Sequence, residues 1–351
     1  MLRYAEEFAK QGGARLKTVV TLGESLIDMV SQNTGNLEEA TGFTKAAGGA
    51  PANVAACVAK LGGKSAFVGK RGVDPFGDFL HSTLTGCGVD TSYFTPTQAA
   101  KTALAFVALD AQGDRSFTFY RDPSADMLLT PGDVPHDFIA SAGILHVGSV
   151  SLSSEPCAEA TIEAVVKARS NGVFVSYDPN WRPPLWPDAK AGIVKAKNLL
   201  TECDMVKLNR EELALFCETD DVSAGADFLH GIGIQAVFIT LDAEGCFYSV
   251  RTKDVRVPSQ GRVAGRRVDV VDTTGAGDTF VGAILHELAL TPSLSNDSRE
   301  VLALLSANTL ENMVEFAVAA SALVTTRRGS IPALPTMEQV VRFLGDGRLD
   351  A

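Results

Sequence analysis

Residues 272 to 278, Asp-Thr-Thr-Gly-Ala-Gly-Asp, combine a glycine-rich turn with a carboxylate at the start of an apolar run of small residues. The first N–H groups of a helix lack partners within it, and glycines let an anion approach them closely. Gly275, Ala276 and Gly277 are therefore predicted to cradle a phosphate. Asp278 fits beside an anion if it removes a proton from the nucleophile that attacks phosphorus, as in a kinase. The alternative is a plain helix N-cap.

A second glycine cluster, Gly48-Gly49-Ala50-Pro51-Ala52-Asn53, opens another helical stretch. Gly48 and Gly49 permit close backbone approach, and Asn53 offers both a donor and an acceptor to a sugar hydroxyl. The alternative is a tight loop in which Asn53 is a local cap. Asp28 follows the first predicted strand, at the edge where open α/β sheets bind ligands. It could accept two hydroxyl hydrogen bonds, or serve only as a turn residue or salt-bridge partner.

Further polar residues follow other predicted strands. Arg121 and Arg182 lie at the mouth of the presumed cleft, where phosphate or sugar oxygens would be, although single arginines are usually surface residues. Asn209 and Glu212 are spaced to direct an amide and a carboxylate at a hydrated Mg²⁺. The same two residues also satisfy a helix N-cap with an acidic first turn. The turn Thr240-Leu241-Asp242-Ala243-Glu244-Gly245 could border a nucleotide, but turns of this composition are common.

Short β-branched runs alternate with longer helical patterns, which predicts a mostly parallel sheet covered on both faces. The predicted strands are Thr18–Gly23, Ser65–Lys70, Gly143–Ser149, Val173–Asp178, Met205–Asn209 and Ala236–Leu241. Helical stretches are predicted near 51–62, 74–86, 155–171, 188–201, 210–218, 223–232 and 309–326.

Two regions, 28–47 and 97–122, break this pattern with short alternating strands and turn signals. The second predicts a hairpin of Ala103–Leu109 with Arg115–Tyr120. Together they predict a small antiparallel sheet that is too thin to bury its own core and needs a partner. Another hairpin is predicted from Cys246–Val250 and Asp254–Pro258.

The bulk properties narrow the classes of function. The chain has 351 residues and a formal net charge of −11, which argues against nucleic-acid binding because that requires a basic face. No apolar run reaches the ~18 residues of a membrane span. The six cysteines and five histidines show no disulfide or zinc spacing, which favours free thiols in a reducing cytoplasm. The first 17 residues are expected to be an extension, either a docking helix or a tail, before one domain over 18–345.

These motifs in this order resemble the PfkB-type carbohydrate kinases of the ribokinase-like superfamily. The resemblance covers about Thr18 to Thr336 and includes both glycine clusters. It implies a three-layer α/β sandwich with a central, mostly parallel sheet and a small antiparallel β lid. Within the family the chain is most similar to fructokinases, through the stretches 119–128 and 178–186, although the second stretch is shared in part with 2-keto-3-deoxygluconate kinases.

The resemblance also implies roles, with ATP and Mg²⁺ as cofactors and K⁺ as a further candidate. Asp278 would be the base, and the N–H groups from Gly275 to Asp278 would form the anion hole. The remaining roles are sugar and phosphate contacts for Asp28, Gly48, Gly49, Asn53, Arg121 and Arg182; Mg²⁺ and phosphate organisation for Asn209 and Glu212; contacts to the ATP ribose and adenine for Thr240, Gly245, Asn312 and Ala319; and a monovalent-cation site at the carbonyls of Asp272 and Thr274. The lid would close over the site and form a homodimer contact.

The resemblance therefore leads to a fructose kinase as the first hypothesis. Another sugar kinase, chiefly one acting on 2-keto-3-deoxygluconate, is the enzymatic alternative. A non-catalytic relative that binds sugar or nucleotide is the alternative of another class. A dinucleotide oxidoreductase is disfavoured, because Gly23-Glu24-Ser25-Leu26-Ile27-Asp28 lacks the glycine spacing expected after the first strand.

Overall fold

The computed structural model describes residues 17–109, 115–251, 258–291 and 297–346. Its strands are β1 Thr18–Leu22, β2 Leu26–Ser31, β3 Phe43–Gly48, β4 Lys64–Gly72, β5 Phe94–Thr97, β6 Leu104–Leu109, β7 Arg115–Tyr120, β8 Ile144–Gly148, β9 Phe174–Asp178, β10 Met205–Leu208, β11 Ala236–Thr240, β12 Cys246–Val250 and β13 Ser259–Val263.

The α-helices are α1 Ala50–Lys60, α2 Pro75–Gly86, α3 His136–Ala140, α4 Cys157–Ser170, α5 Ala189–Leu200, α6 Arg210–Cys217, α7 Val222–Gly231, α8 Ala276–Leu290, α9 Ala307–Val324 and α10 Met337–Asp346. Short 3₁₀ turns are Leu37–Glu39, Ala125–Leu128, Pro131–Asp133, Val150–Leu152, Pro183–Leu185, Asp242–Glu244, Ser298–Leu304 and Ile331–Ala333.

The larger sheet has the strand order β13-β12-β11-β10-β9-β8-β1-β4-β5. It is parallel from β11 through to β5, whereas β12 and β13 are antiparallel at one edge. Strands β8, β9 and β10 are buried along their whole length, as expected of parallel strands covered by helices on both faces. The predicted α/β fold class is confirmed, and the six predicted parallel strands are found within one or two residues of their predicted ends.

Two apolar cores lie on opposite faces of this sheet. One packs α1, α2, α8, α9 and α10 against it, with Phe67 and Phe280 among its largest buried side chains. The other packs α3 to α7 against the opposite face, around Tyr177 and Phe216. The molecule is therefore a three-layer sandwich, in which the carboxyl ends of the parallel strands share one edge.

The contact between α1 and α8 is close because Gly282 has no side chain. A Cβ at this position would lie 2.6 Å from the Cβ of Cys57, a distance that real Cβ contacts do not reach. The approach matters for the site, because α1 begins beside Asn53 and α8 begins beside Asp278. Small residues at this helix crossing thus bring two distant motifs of the sequence together.

The smaller sheet has the order β3-β2-β6-β7. The pairs β2–β3 and β6–β7 are antiparallel, and β2 pairs with β6 in parallel, so the sheet is antiparallel only in part. The predicted hairpin of β6 and β7 is confirmed. In the other predicted hairpin the second arm was placed too early: β12 pairs with Ser259–Val263, while most of Asp254–Pro258 lies outside the described residues.

The predicted extension over residues 1–17 lies almost wholly outside the described residues, so that extension and the domain bounds 18–345 stay predictions. In the described part of the chain no single helix is long and apolar enough to span a membrane. The helices Ser298–Leu304 and Ala307–Val324 reach that length and composition only when taken together across a 110° bend.

Candidate active site

A cavity of about 1490 Å³ opens beyond the carboxyl ends of the central parallel strands. One end is formed by Glu24, Asp28 and Asn53 with Phe117 and Phe119 of the smaller sheet. The middle is lined by the turn at the start of α8. The other end is formed by the segments that follow β11 and β13 and by apolar residues of α9 and α10. The first group is Thr240, Asp242, Ala243, Gly245, Gly265 and Val268, and the second group is Val318, Ala322 and Phe343.

The turn before α8, which the sequence predicts as an anion cradle, has a backbone conformation that brings it close to its neighbours. Gly275 has a φ of 80°, and a Cβ there would lie 2.1 Å from the Ser330 hydroxyl oxygen, so only glycine fits. The Ser321 hydroxyl of α9 donates to the Ala276 carbonyl at 2.8 Å and fixes the far side of the turn. Gly275, Ala276 and Gly277 all line the cavity. The first N–H groups of α8 therefore begin at the cavity wall, where a phosphate can reach them.

Asp278 lies in the first turn of α8 and is only 8% exposed. Its Oδ2 accepts a 2.8 Å hydrogen bond from Asn53, and its Oδ1 accepts a 3.3 Å bond from Asn180. Burial raises the pKa of Asp278 to about 6, although the Asn53 bond opposes this rise. The carboxylate is thus ionised near neutral pH, yet it is a better proton acceptor than an exposed aspartate.

Lys207 of β10 is a cation beside the cradle that the sequence analysis did not single out as functional. Its ammonium forms a 3.1 Å ion pair with Asp178, and both side chains are at least nine-tenths buried. Burial by itself would lower the pKa of Lys207, but the charges of Asp178, Glu212 and Asp278, together with the hydrogen bond to Asp178, outweigh burial and raise it. The ammonium lies 3.1 Å from the position that a Cβ on Gly277 would take. A fixed positive charge therefore adjoins the predicted phosphate site.

The turn of Gly48 and Gly49 packs tightly against the segment that follows β1. A Cβ on Gly48 would lie 2.2 Å from the Asp28 carboxylate, and Gly49 has a φ of 103° with the Glu24 carbonyl 2.5 Å from its Cβ position. Asp28, Gly49 and Asn53 line the cavity, whereas Gly48 contributes by leaving room for Asp28.

Glu24 is a cavity residue for which the sequence analysis predicted no role. Its Oε1 accepts the N–H of Ala50 at 3.2 Å, and its Oε2 has no hydrogen-bond partner in the described part of the chain. Burial raises the pKa of Glu24 to about 7.

The two predicted arginines differ in position. Arg182 lines the cavity, and its Nη1 donates to the Trp181 carbonyl at 3.0 Å. Arg121 does not line it: its Nε donates to Asp126 at 2.6 Å and its Nη1 to Ser153 at 3.0 Å, within the protein. The expectation of a direct sugar contact from Arg121 is therefore corrected, because a buried guanidinium needs an internal carboxylate partner and has found one.

Asn209 and Glu212 form a capping box at the start of α6. Asn209 Oδ1 accepts the Glu212 N–H at 2.7 Å, and Glu212 Oε2 accepts the Asn209 N–H at 2.9 Å. The second carboxylate oxygen of Glu212 accepts the Trp181 N–H at 2.9 Å. Burial raises the pKa of Glu212. Both residues line the cavity, so the capping alternative is observed, while a role toward hydrated Mg²⁺ stays a prediction.

The end of the cavity that was predicted to bind a nucleotide differs from the prediction at α9. Thr240 and Gly245 line it as expected. Asn312 is exposed and Ala319 is fully buried, and neither reaches the cavity. The cavity is lined instead by Val318, Ser321 and Ala322, which lie on a different face of the same helix, and by Thr325, which directly follows that helix. The resemblance thus pointed to the helix that lines the cavity, but not to the residues of that helix that line it.

Asp272 holds the entry to the cradle through its side chain. Its carboxylate accepts the N–H groups of Thr274 and Gly329, each at 2.8 Å. Thr274 lines the cavity, whereas Asp272 does not. The monovalent-cation site at their carbonyls stays a prediction. In the described ranges no group of three or more His, Cys, Asp or Glu side chains could hold a metal ion.

Comparison with known proteins identifies the family. The model of the pfkB family of carbohydrate kinases matches residues 16–337. The chain belongs to this family. This pfkB kinase is 42% identical to fructokinase-2 of Solanum lycopersicum over 97% of its own chain and 99% of the relative. A fructokinase of Xylella fastidiosa with bound ATP matches at 37% identity and a TM-score of 0.84, covering 95% of this chain and 99% of that one. A fructokinase double mutant of Vibrio cholerae O395 with fructose, ADP and potassium ion matches at 32% identity and a TM-score of 0.81, covering 95% and 99%.

Three polar residues of this pfkB kinase line the cavity although the sequence did not indicate a role for them. They are Glu24, Asn180 and Lys207. Lys207 had one available signal, since it is a lone charge in the buried strand Met205–Leu208. Asn180 and Glu24 lie just after the predicted strands Val173–Asp178 and Thr18–Gly23, but nothing in their spacing distinguishes them from neighbouring turn residues.

Proposed function

We propose that this pfkB kinase transfers the γ-phosphoryl group of ATP to the primary hydroxyl of fructose, giving fructose 6-phosphate and ADP. It would thus be a phosphotransferase with an alcohol group as acceptor. The observation that carries the proposal is the buried Asp278 carboxylate at the first turn of α8, with an anion cradle on one side and Asn53 on the other. The similarity to fructokinases from plants and bacteria over nearly the whole chain supports fructose as the sugar.

Each end of the cavity has a part in this reaction. Asp28, Asn53 and Gly49 hold sugar hydroxyls, and Asp278 accepts the proton of the attacking hydroxyl. Charge that develops on the transferred group is stabilised by the N–H groups from Gly275 to Asp278 and by the Lys207 ammonium. Since both groups are fixed before the substrates bind, no reorganisation is needed during the reaction.

ATP fits the other end, since the turn around Gly245 and the apolar residues of α9 and α10 suit a ribose and a purine. Mg²⁺ would enter with ATP, because phosphate oxygens and water satisfy its preference for oxygen ligands. Asn209 and Glu212 line the cavity and would hold this ion through its water ligands. A potassium ion is present in the Vibrio cholerae relative, and the Asp272 and Thr274 carbonyls are the proposed place for one here.

The smaller sheet is proposed as a lid that excludes water during transfer. Its Phe117 and Phe119 face the cavity. Phe43, Phe106 and Tyr120 form an aromatic cluster on the lid, with ring centroids 5.0 and 5.2 Å apart, and Tyr120 is 64% exposed. This cluster supports a homodimer through the lid.

A cytoplasmic location is proposed from the free thiols of all six cysteines.

The charges at the sugar end favour a neutral sugar over a sugar acid. Glu24 and Asp28 line this end, and the positive charge of Arg121 is already paired with Asp126. The carboxylate of a substrate such as 2-keto-3-deoxygluconate would therefore be repelled by the acidic side chains at this end, and Arg182 would be the cation left to pair with it.

A coupled ADP-release assay across a sugar panel tests the proposal. We expect turnover of fructose that exceeds turnover of 2-keto-3-deoxygluconate, and a loss of about 10²–10⁴-fold in Asp278→Asn, as when a general base is removed. Brisk turnover of the keto acid without turnover of fructose would establish the alternative substrate. Absence of turnover with every sugar, despite ATP binding, would favour a non-catalytic relative.

A further inference from the structure

The turn between β9 and the 3₁₀ segment at Pro183 has a strained backbone. Asn180 has a φ of 44°, a left-handed conformation that few residues other than glycine adopt. The Asn180 N–H donates to Asp178 Oδ1 at 3.1 Å, and the next N–H, that of Trp181, donates to Glu212 Oε1 at 2.9 Å. Two buried carboxylates therefore hold the strained residue from both sides.

The strain directs the Asn180 side chain at the base. Asn180 Nδ2 donates to Asp278 Oδ1 at 3.3 Å, while Asn53 Nδ2 donates to Oδ2 at 2.8 Å. The two amides come from different halves of the chain and hold opposite oxygens of one carboxylate. The shorter bond fixes Oδ2. The longer bond leaves Oδ1 as the oxygen at which an incoming hydroxyl can compete.

We propose that Asn180 is a positioning residue for the general base: its amide orients Asp278 Oδ1 toward the acceptor hydroxyl and stabilises the ionised carboxylate. This inference rests on the proposed function of Asp278. It also gives Glu212 a structural part in the site, because its carboxylate holds the turn that presents Asn180. Strain of this kind persists only where surrounding contacts enforce it, and it is often found at functional sites.

Other groups also set the protonation of Asp278. Burial raises its pKa, Asp178 raises it further, and Lys207 and Arg182 oppose the rise. On α1 the Cys57 thiol faces the same carboxylate, and burial together with Asp278 keeps that thiol protonated. A variant of Asn180 that removes the amide leaves these four groups in place, so a change in the pH profile reports the amide.

Asn180→Gly is the main test variant. Glycine accepts a positive φ without strain, so the turn should persist while the amide is lost. Glu218→Gly is the matched control, because Glu218 also has a positive φ of 57° but lies at the exposed far end of α6. Asn180→Asp keeps the shape and places a carboxylate against Asp278.

Two measurements separate positioning from mere folding. In fructose turnover, we expect Asn180→Gly to lower kcat about 3- to 10-fold and to move the acidic limb of kcat up by about 0.5 to 1 pH unit, as for one lost hydrogen bond. The fructose KM should change less than kcat, and Asn180→Asp should move the limb further. Glu218→Gly should retain the wild-type profile. Carbon NMR titration of the Asp278 carboxyl, assigned with Asp278→Asn, should give the same upward shift without any substrate.

The outcomes distinguish this inference from the proposed function. An Asp278 titration that is unchanged in Asn180→Gly would overturn the inference, as would a loss confined to KM. If no sugar is turned over, the proposed function fails, but the NMR titration still decides whether Asn180 governs Asp278. An equal shift in Glu218→Gly would assign the effect to backbone strain and also overturn the inference.

Discussion

Asp278 should destabilise the folded protein near neutral pH, and Asp278→Asn should remove that penalty. The carboxylate is 8% exposed and lies in the first turn of a helix whose surroundings suit a ligand anion. An ionised group in such a place loses hydration that the unfolded chain retains. The variant keeps the size of the side chain but carries no charge.

The magnitude follows from the pKa of Asp278, which burial raises from 3.8 to about 6. The folded state then binds more protons than the unfolded state between these values. The stability contribution is present below pH ~4 and is lost as pH rises through ~6. A difference of about two pH units corresponds to about 3 kcal/mol. Relative to wild type, Asp278→Asn should therefore gain about 3 kcal/mol of unfolding free energy between pH 4 and pH 8.

Urea unfolding of both proteins without ligands, at several pH values, measures this difference. The new amide can still accept the Asn53 bond, but its NH₂ group faces that of Asn180, and this pH-independent cost cancels when two pH values are compared. Glu24 and Glu287, whose pKa values burial raises to about 7, titrate in both proteins and cancel likewise. Parallel stability curves for wild type and variant would refute the reasoning, since they would mean that Asp278 has no raised pKa.

Two further predictions concern the neighbours of the base. Lys207→Met should destabilise the fold by about 3–5 kcal/mol, because it leaves the buried Asp178 charge unpaired, whereas adding Asp178→Asn should recover most of that stability. Thermal or urea unfolding checks this, and turnover should stay low in the double variant if the cation serves the phosphate. Asn53→Ala should raise the pKa of Asp278, since the 2.8 Å bond favours the ionised form. The acidic limb of kcat/KM should then move to higher pH, and an unmoved limb would contradict this assignment.

The sequence predicted most of the fold because the signals are local. Apolar β-branched runs bounded by turn residues located β8, β9, β10 and β11 closely, since parallel strands are buried on both faces. The second arm of the β12 hairpin was misplaced, because turn residues mark where a strand ends but not how long a loop is. The sequence also located the turn before α8, where Gly275 has a positive φ and the helix begins at Ala276, although its role as an anion cradle stays a prediction.

Pairings across the molecule were not predictable in the same way. Arg121 follows a strand end, and only the folded chain shows that its guanidinium pairs with Asp126 within the protein and does not line the cavity. Asn312 and Ala319 lie on a helix of the right location, but the rotation of α9 about its axis is set by packing against α8. The contact of Asn180 with Asp278 depends on the left-handed backbone conformation of Asn180 itself, which neither composition nor spacing reveals.

The charges of the site together explain why its acids remain buried. Asp178, Glu212 and Asp278 face a single buried cation, Lys207, so three ionised acids would leave an excess of negative charge. Burial relieves this excess by raising the pKa of Glu212 and Asp278. The phosphates of the proposed nucleotide would add more negative charge, which a divalent cation brought with them and the N–H groups of the cradle would offset. Asp278, with a pKa of about 6, is ionised near neutral pH, and in the proposed reaction it would accept the proton of a bound hydroxyl. The burial that raises the pKa of Asp278 and lowers the stability of the fold thus also makes this carboxylate a better acceptor for the proton of the proposed substrate hydroxyl.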